Sequence, residues 1–137
     1  MRARARHPLV VCEAHPGHGE SVAEELVEAG YEVRCCPDGE SLIEAVAQQH
    51  PSAVVYELCH QLPVDMAILA LVRRVLPGIP LVLLTCESEG PSLRALREMS
   101  PAVLAHEPVG REGLRTAVRT AVRRGRSRAK RVVVAIA

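Results

Sequence analysis

The sequence predicts a single α/β domain of the doubly wound, three-layer type, with a five-stranded parallel sheet between helices. Three observations predict it. Short apolar runs alternate five times with amphipathic stretches, at the spacing of βα units. The strand-like runs are continuously apolar, as strands buried on both faces require. The 137-residue chain is 48% hydrophobic yet holds no Phe and no Trp, so its core rests on Val, Leu, Ile and Ala.

Each element follows in order. "PLVVCE" from Pro8 reads as a buried strand, and "AHPGHG" turns the chain into an amphipathic helix near Glu20–Ala29 that stops at Gly30. "YEVRCC" is a shorter strand nearer an edge. Pro37-Asp38-Gly39 leads into the helix "ESLIEAVAQQH", with Leu42, Ile43, Val46 and Ala47 inward. After Pro51, "SAVVYEL" is a central strand. A loop to Pro63 precedes the helix "DMAILALVRRVL", which ends at Pro77-Gly78. "IPLVLLT" is the fourth strand, "GPSLRALREM" a short helix and "PAVLAH" the fifth strand. After Glu107-Pro108, "REGLRTAVRTAVRR" is a helix that closes the domain. Residues 8–124 form that domain. Residues 125–137, "GRSRAKRVVVAIA", are a basic C-terminal tail or linker, with a small extra strand at "RVVVAIA" as the alternative.

Charge is unevenly spread. The formal net charge is +1, but residues 7–110 carry five basic and fifteen acidic side chains, a formal −10, between basic ends. No apolar run approaches the roughly 20 residues that span a bilayer. The basic start, Arg2 to Arg6, is followed by no signal-peptide core, so a cytoplasmic location is expected. The five cysteines, at 12, 35, 36, 59 and 86, have no framework spacing and read as free thiols.

In a doubly wound sheet, ligands bind at the carboxyl ends of the strands. Those ends collect Cys12-Glu13, Cys35-Cys36, Glu57 with Cys59-His60, Thr85-Cys86 and His106-Glu107 on one rim. A phosphocysteine at Cys12 is disfavoured, because Glu13 follows it and no Arg or Lys lies between Arg6 and Arg34. Cys59-His60, Cys86, His15 and His106 suit Zn²⁺ or redox chemistry by ligand type, though the chain has no CxxC or HxxxH.

The rim is also where the chain resembles a known family, the receiver domain of two-component response regulators. "PSAVVYEL", "MAILALVRR", "PLVLLT" and "VLAHEP" carry the resemblance, which covers about residues 8–124. It implies a flavodoxin-like (βα)₅ fold. It places the first-strand acid pair on Glu13 and Ala14, and the phosphoacceptor on Glu57. The switch residues fall on Thr85 and Leu104, and the bridging lysine falls on Glu107. Only Thr85 of these keeps the family residue.

The departures define the expected function. Magnesium needs oxygen ligands in near-octahedral geometry at about 2.0–2.1 Å. Ala14 removes a carboxylate, and Glu13 and Glu57 each add a methylene, so Mg²⁺ binding is expected to be weak or absent and no cofactor is assigned. Phosphoryl transfer needs positive charge around the transferred group, and Glu107 supplies repulsion. Glu57 as a permanent stand-in for a phosphorylated aspartate is a further option, with one charge where the phosphoryl group carries nearly two.

The expectation is therefore a non-enzymatic, phosphorylation-independent pseudo-receiver. It would act as a protein–protein interaction module in bacterial signal transduction. The alternative is a metal- or redox-responsive sensor using the rim Cys and His. By family resemblance, partner contacts or a homodimer would use the fourth helix, fifth strand and fifth helix, at Leu93, Leu96, Leu104, Pro108, Arg111, Arg115 and Arg119. Arg111, Arg115, Arg119 and Arg123 recur every four residues on the last helix, which reads as a solvated face. The denser tail leaves nucleic acid, an anionic membrane or an acidic partner open. No helix-turn-helix or aromatic platform accompanies it, so sequence-specific DNA binding is not expected.

Overall fold

The computed structural model describes residues 7–13, 21–58, 62–86 and 90–136. Strands and helices alternate: β1 (Pro8–Cys12), α1 (Val22–Glu28), β2 (Glu32–Cys36), α2 (Gly39–Gln49), β3 (Ala53–Glu57), α3 (Leu62–Val75), β4 (Leu81–Thr85), α4 (Pro91–Glu98), β5 (Val103–His106) and α5 (Arg111–Ile136). The five strands pair in parallel in the order β2-β1-β3-β4-β5, which places β2 at an edge as expected. The chain order reverses at β1, so the carboxyl ends of β1 and β3 flank the switch point.

Strand alternation splits the core into two layers. Val10, Val54, Tyr56, Leu81 and Leu83 face α2, α3 and α4, where Leu42, Val46, Leu69, Val72 and Leu96 meet them. Leu9, Val11, Val55, Val82 and Leu84 face α1 and α5, and pack on Leu26, Leu114, Val118 and Ala121. Both faces of the central strands are thus covered, which is why their sequences are continuously apolar.

Local chemistry sets the helix boundaries. Ser21 caps α1, and Gly30, at φ 99°, takes the left-handed conformation that ends it. Asp38 and Ser41 form a capping box at α2: the Ser41 amide donates to Asp38 Oδ1 at 2.8 Å. This hydrogen bonding holds the Asp38 carboxyl below its ordinary range. Arg73 near the end of α3 donates to the carbonyls of Ile79, Met99 and Ser100, at 2.7, 3.1 and 2.8 Å, fastening α3 to the start of β4 and the α4–β5 turn.

Two expectations are corrected. On α2, Ala45 is buried with Leu42 and Val46, Ile43 is half-buried and Ala47 faces solvent. The inward stripe runs 42, 45, 46, the three- and four-residue spacing of one helical face. Among the described residues, no strand forms in "RVVVAI". Helix α5 instead continues through residue 124 to Ile136. It passes Pro80 at Gly125, where an added Cβ would come within 2.8 Å of the proline ring.

Candidate functional site

The register brings the predicted rim together. Cys12 lies beside Cys36 and Tyr56, Glu57 beside Leu84, and Thr85 beside His106, all at the carboxyl ends of their strands. Thr85 is buried, and its carbonyl accepts from the Glu107 amide at 2.8 Å, which seats Glu107 over the end of β4. The Leu58 amide donates to the Leu84 carbonyl at 2.9 Å, which seats the Glu57 end of β3 on the other side of β4. Ala14, His15, Cys59 and His60 lie outside the described residues.

The two rim glutamates meet. The Glu107 carboxyl is hydrogen-bonded to that of Glu57, and its pKa is pushed up to about 7. Burial is the main cause, followed by that hydrogen bond and the negative charge of Glu57. Two carboxyls in contact need one shared proton, so Glu107 donates and Glu57 accepts. The positions that the resemblance assigns to phosphoacceptor and lysine are thus two facing carboxyls where the family places a carboxylate and an ammonium group.

Glu13 has a different task. Its Oε1 accepts from Ser21 Oγ and from the Ala23 amide, each at 2.8 Å, at the start of α1. The carboxylate satisfies one of the unpaired first-turn amides and faces the positive end of the helix. The residues do not fit a magnesium site: one acid is committed to α1, and the other is hydrogen-bonded to a carboxyl group. Among the described residues, no three His, Cys, Asp or Glu side chains lie together in a metal-holding arrangement.

Neither Cys35 nor Cys36 is activated. Desolvation pushes the Cys35 thiol up, and Glu13's charge adds to it; burial likewise pushes up the Cys36 thiol. His106 Nε2 lies 3.0 Å from the Cys86 carbonyl, tying the ends of β4 and β5.

The family-derived contact face is only partly a surface. Leu96 is wholly buried under α4, so it presents nothing to a partner, contrary to expectation. Leu93 and Leu104 are half-buried, and Leu104 packs inward beside Leu96; Pro108 and Arg119 are exposed. Arg111 and Arg115 turn toward α1. Arg111 Nε and Arg115 Nε reach opposite oxygens of the buried Glu25 carboxylate at 2.7 and 2.6 Å, and Arg111 also reaches Glu28 at 2.7 Å. The Arg111 hydrogen bond is the main force holding the Glu25 carboxyl below its ordinary value.

Sequence reasoning missed Glu25 and the Tyr56–Asp65 pair. Tyr56 Oη donates to Asp65 Oδ1 at 2.6 Å, with both residues buried. Asp65 shares the inward spacing of Leu69 and Val72, which marks a polar residue on the core face of α3. Glu25 carried no such mark, since its arginines lie 86 and 90 residues away in sequence.

No protein-family model matches the sequence, and no curated protein matches it. Solved structures do match the fold. A CheY-like response regulator receiver domain protein from Methanospirillum hungatei JF-1 has a TM-score of 0.80 at 10% identity, covering 90% of this chain and 99% of that one. Vibrio cholerae chemotaxis protein CheY4 gives 0.75 at 16% identity, covering 85% and 99%. The signal receiver domain of a modulated diguanylate cyclase from Desulfovibrio desulfuricans G20 gives 0.76 at 15% identity, covering 90% and 99%. At such identities the likeness establishes architecture alone. The chain has the CheY-like, flavodoxin-type receiver fold, with five parallel strands and five helices.

Proposed function

We propose that the chain is a pseudo-receiver: a non-catalytic signalling module that works through protein–protein contacts without being phosphorylated. One observation carries the reading, the carboxyl–carboxyl contact between Glu57 and Glu107. An acyl phosphate on Glu57 would have to form beside Glu107, which repels the incoming phosphoryl oxygens once ionised and occupies Glu57's lone pairs while protonated. Phosphoryl transfer depends on fixed positive charge at those oxygens. Glu13 cannot supply a cation there while it holds the start of α1.

The receiver fold supports a place in a two-component-type signalling pathway with a protein partner, in the cytoplasm of a bacterial cell. Residues 8–124 serve as the interaction domain, with the continuation of α5 running on from it. Sequence-specific DNA binding is not part of the proposed function. No helix among the described residues is long and apolar enough to cross a membrane. The metal- or redox-sensor reading is the alternative; the Cys35 and Cys36 thiols are pushed away from the thiolate form, and His15, Cys59 and His60 lie outside the described residues.

The test is an amide NMR titration with Mg²⁺, then with beryllofluoride as a phosphoryl mimic. Unchanged amides at Glu13, Leu58, Thr85 and Glu107 are the expected result. Saturable shifts centred on those residues would mean that the pocket still accepts phosphate, and the reading would fail.

A further inference from the structure

The last registered pair between β1 and β2 is Cys12 with Cys36. Both belong to the core layer that faces α2 and α3, so their side chains leave the sheet on the same side. Both are buried, at 7 and 3% exposed, and both are thiols in the structure. Cys35 registers with Val11, which belongs to the opposite layer. The ladder thus sets two buried thiols side by side and turns the third away from them.

We infer that Cys12 and Cys36 form a reversible disulfide within the chain, which makes oxidation an input to the proposed interaction module. The input rests on that reading; the bond itself does not. Geometry is the first support. Neighbouring strands run about 4.7–4.9 Å apart, inside the roughly 4.4–6.8 Å between Cα atoms that a disulfide bridges. Registered side chains on one face keep about the same spacing at Cβ, a little beyond the roughly 3.5–4.5 Å of a relaxed disulfide. The bond therefore forms under mild strain, which makes it easier to reduce. The place is also compliant. Strand β2 is an edge strand, paired on one side only, and its ladder ends at this pair, where Pro37 begins the turn to α2.

Placement is the second support. Glu13, which holds the start of α1, follows Cys12 directly, and Cys12's other registered neighbour, Tyr56, precedes Glu57. Cys36 Sγ donates to the Ser41 carbonyl in the first turn of α2 at 3.6 Å. The pair thus adjoins two helix starts and the rim. Forming the S–S bond consumes the Cys36 S–H and releases the Ser41 carbonyl, so oxidation is felt at α2. The oxidant is a small disulfide such as oxidised glutathione. One protein thiolate attacks it and expels a glutathione thiolate; the second displaces the other glutathione from the mixed disulfide. The two expelled thiolates take up the two protons lost by the protein, so one disulfide and two thiols exchange places. Burial pushes the Cys36 thiol up, which slows the exchange and leaves its equilibrium to the geometry.

The native full chain is equilibrated in buffers from wholly reduced to wholly oxidised glutathione, alkylated, cut with trypsin and mapped by mass spectrometry. Cutting after Arg6, Arg34 and Arg73 separates Cys12, in 7–34, from Cys35 and Cys36, in 35–73. The expected result is a link between these two fragments of one chain, half formed at a mixed glutathione ratio. It should persist in Cys35→Ser, vanish in Cys36→Ala, and be accompanied by a shift of the Ser41 amide in the NMR spectrum. The parent chain is mapped directly, so the result does not depend on how well Cys36→Ala folds. Thiols that stay reduced in oxidised glutathione, a link through Cys35 or between chains, or a bond that excess reduced glutathione fails to open overturns the inference. None of these outcomes touches phosphate independence, which the beryllofluoride titration of the reduced chain decides alone.

Discussion

Replacing Glu107 by Gln isolates the shared proton at the rim. In the folded chain Glu107 holds its proton up to about 7, against an ordinary value of 4.5. Between those values the unfolded chain has released a proton that the folded chain keeps. Stability therefore falls as pH rises through this window and levels off above it. At 1.36 kcal/mol per factor of ten in acidity, the ceiling is roughly 3 kcal/mol. The pair is open to water on one side, and screening brings the effect down to about 1 kcal/mol. Gln keeps an N–H donor for Glu57 but cannot titrate. Urea unfolding at a series of pH values from 5 to 8 reads the difference, because every other titrating group is common to both chains. The Gln variant should gain about 1 kcal/mol on the parent between the two ends of that series. Parallel stability curves would refute the reasoning, since no proton would then be held at this site.

Two other substitutions test what holds the frame of the site. Glu25→Gln should destabilise the chain at neutral pH, because Arg111 and Arg115 lose the carboxylate that anchors α5 to α1. Glu25 is held below its ordinary value, so its contribution is present above the ordinary carboxylate range and is lost as pH falls through the folded value. The gap between variant and parent in urea unfolding should accordingly narrow in acid. Tyr56→Phe removes the buried donor to Asp65 and should cost about 1–3 kcal/mol by the same assay.

What was legible in the sequence follows from where each kind of information resides. "PSAVVYEL" and "PLVLLT" could be recognised because a strand covered on both faces must be apolar throughout, and few other elements tolerate that. Pro37-Asp38-Gly39 marked the turn into a helix, and the capping box of Asp38 and Ser41 is the short-range hydrogen bonding behind it. Ala47 was misplaced because a helix's phase shifts by 100° per residue, and Ala is indifferent to which side it takes. Leu96 was assigned to a surface because homologous position says where a residue lies along a helix, not how deeply it sits. The continuation of α5 past residue 124 was hidden by Val132, Val133 and Val134, whose β-branching favours strands in isolation. Local propensity gave way there to the helix already running from Arg111.

The rim was legible as a set of positions and illegible as a set of contacts. Sequence placed Glu13, Glu57 and Glu107 on one edge, as acids unable to hold Mg²⁺ or to attract a phosphoryl group. The structure distributes them otherwise. Glu13 turns outward to the start of α1, where two hydrogen bonds and a helix dipole favour its charge. Glu57 and Glu107 turn toward each other, and Glu107 keeps its proton to higher pH than an ordinary carboxyl. Neither solution depends on a ligand, and both tie together loops that a receiver pocket would hold through its cation and lysine. A lysine restored at position 107 would therefore do more than revive a motif. Glu107→Lys would exchange a proton-bridged pair for an ion pair with Glu57, and the rim should then lose its pH dependence while Glu13 stays on α1. If such a variant still ignored beryllofluoride, the first-strand acid, rather than the missing lysine, would be the step that closed the pocket to phosphate.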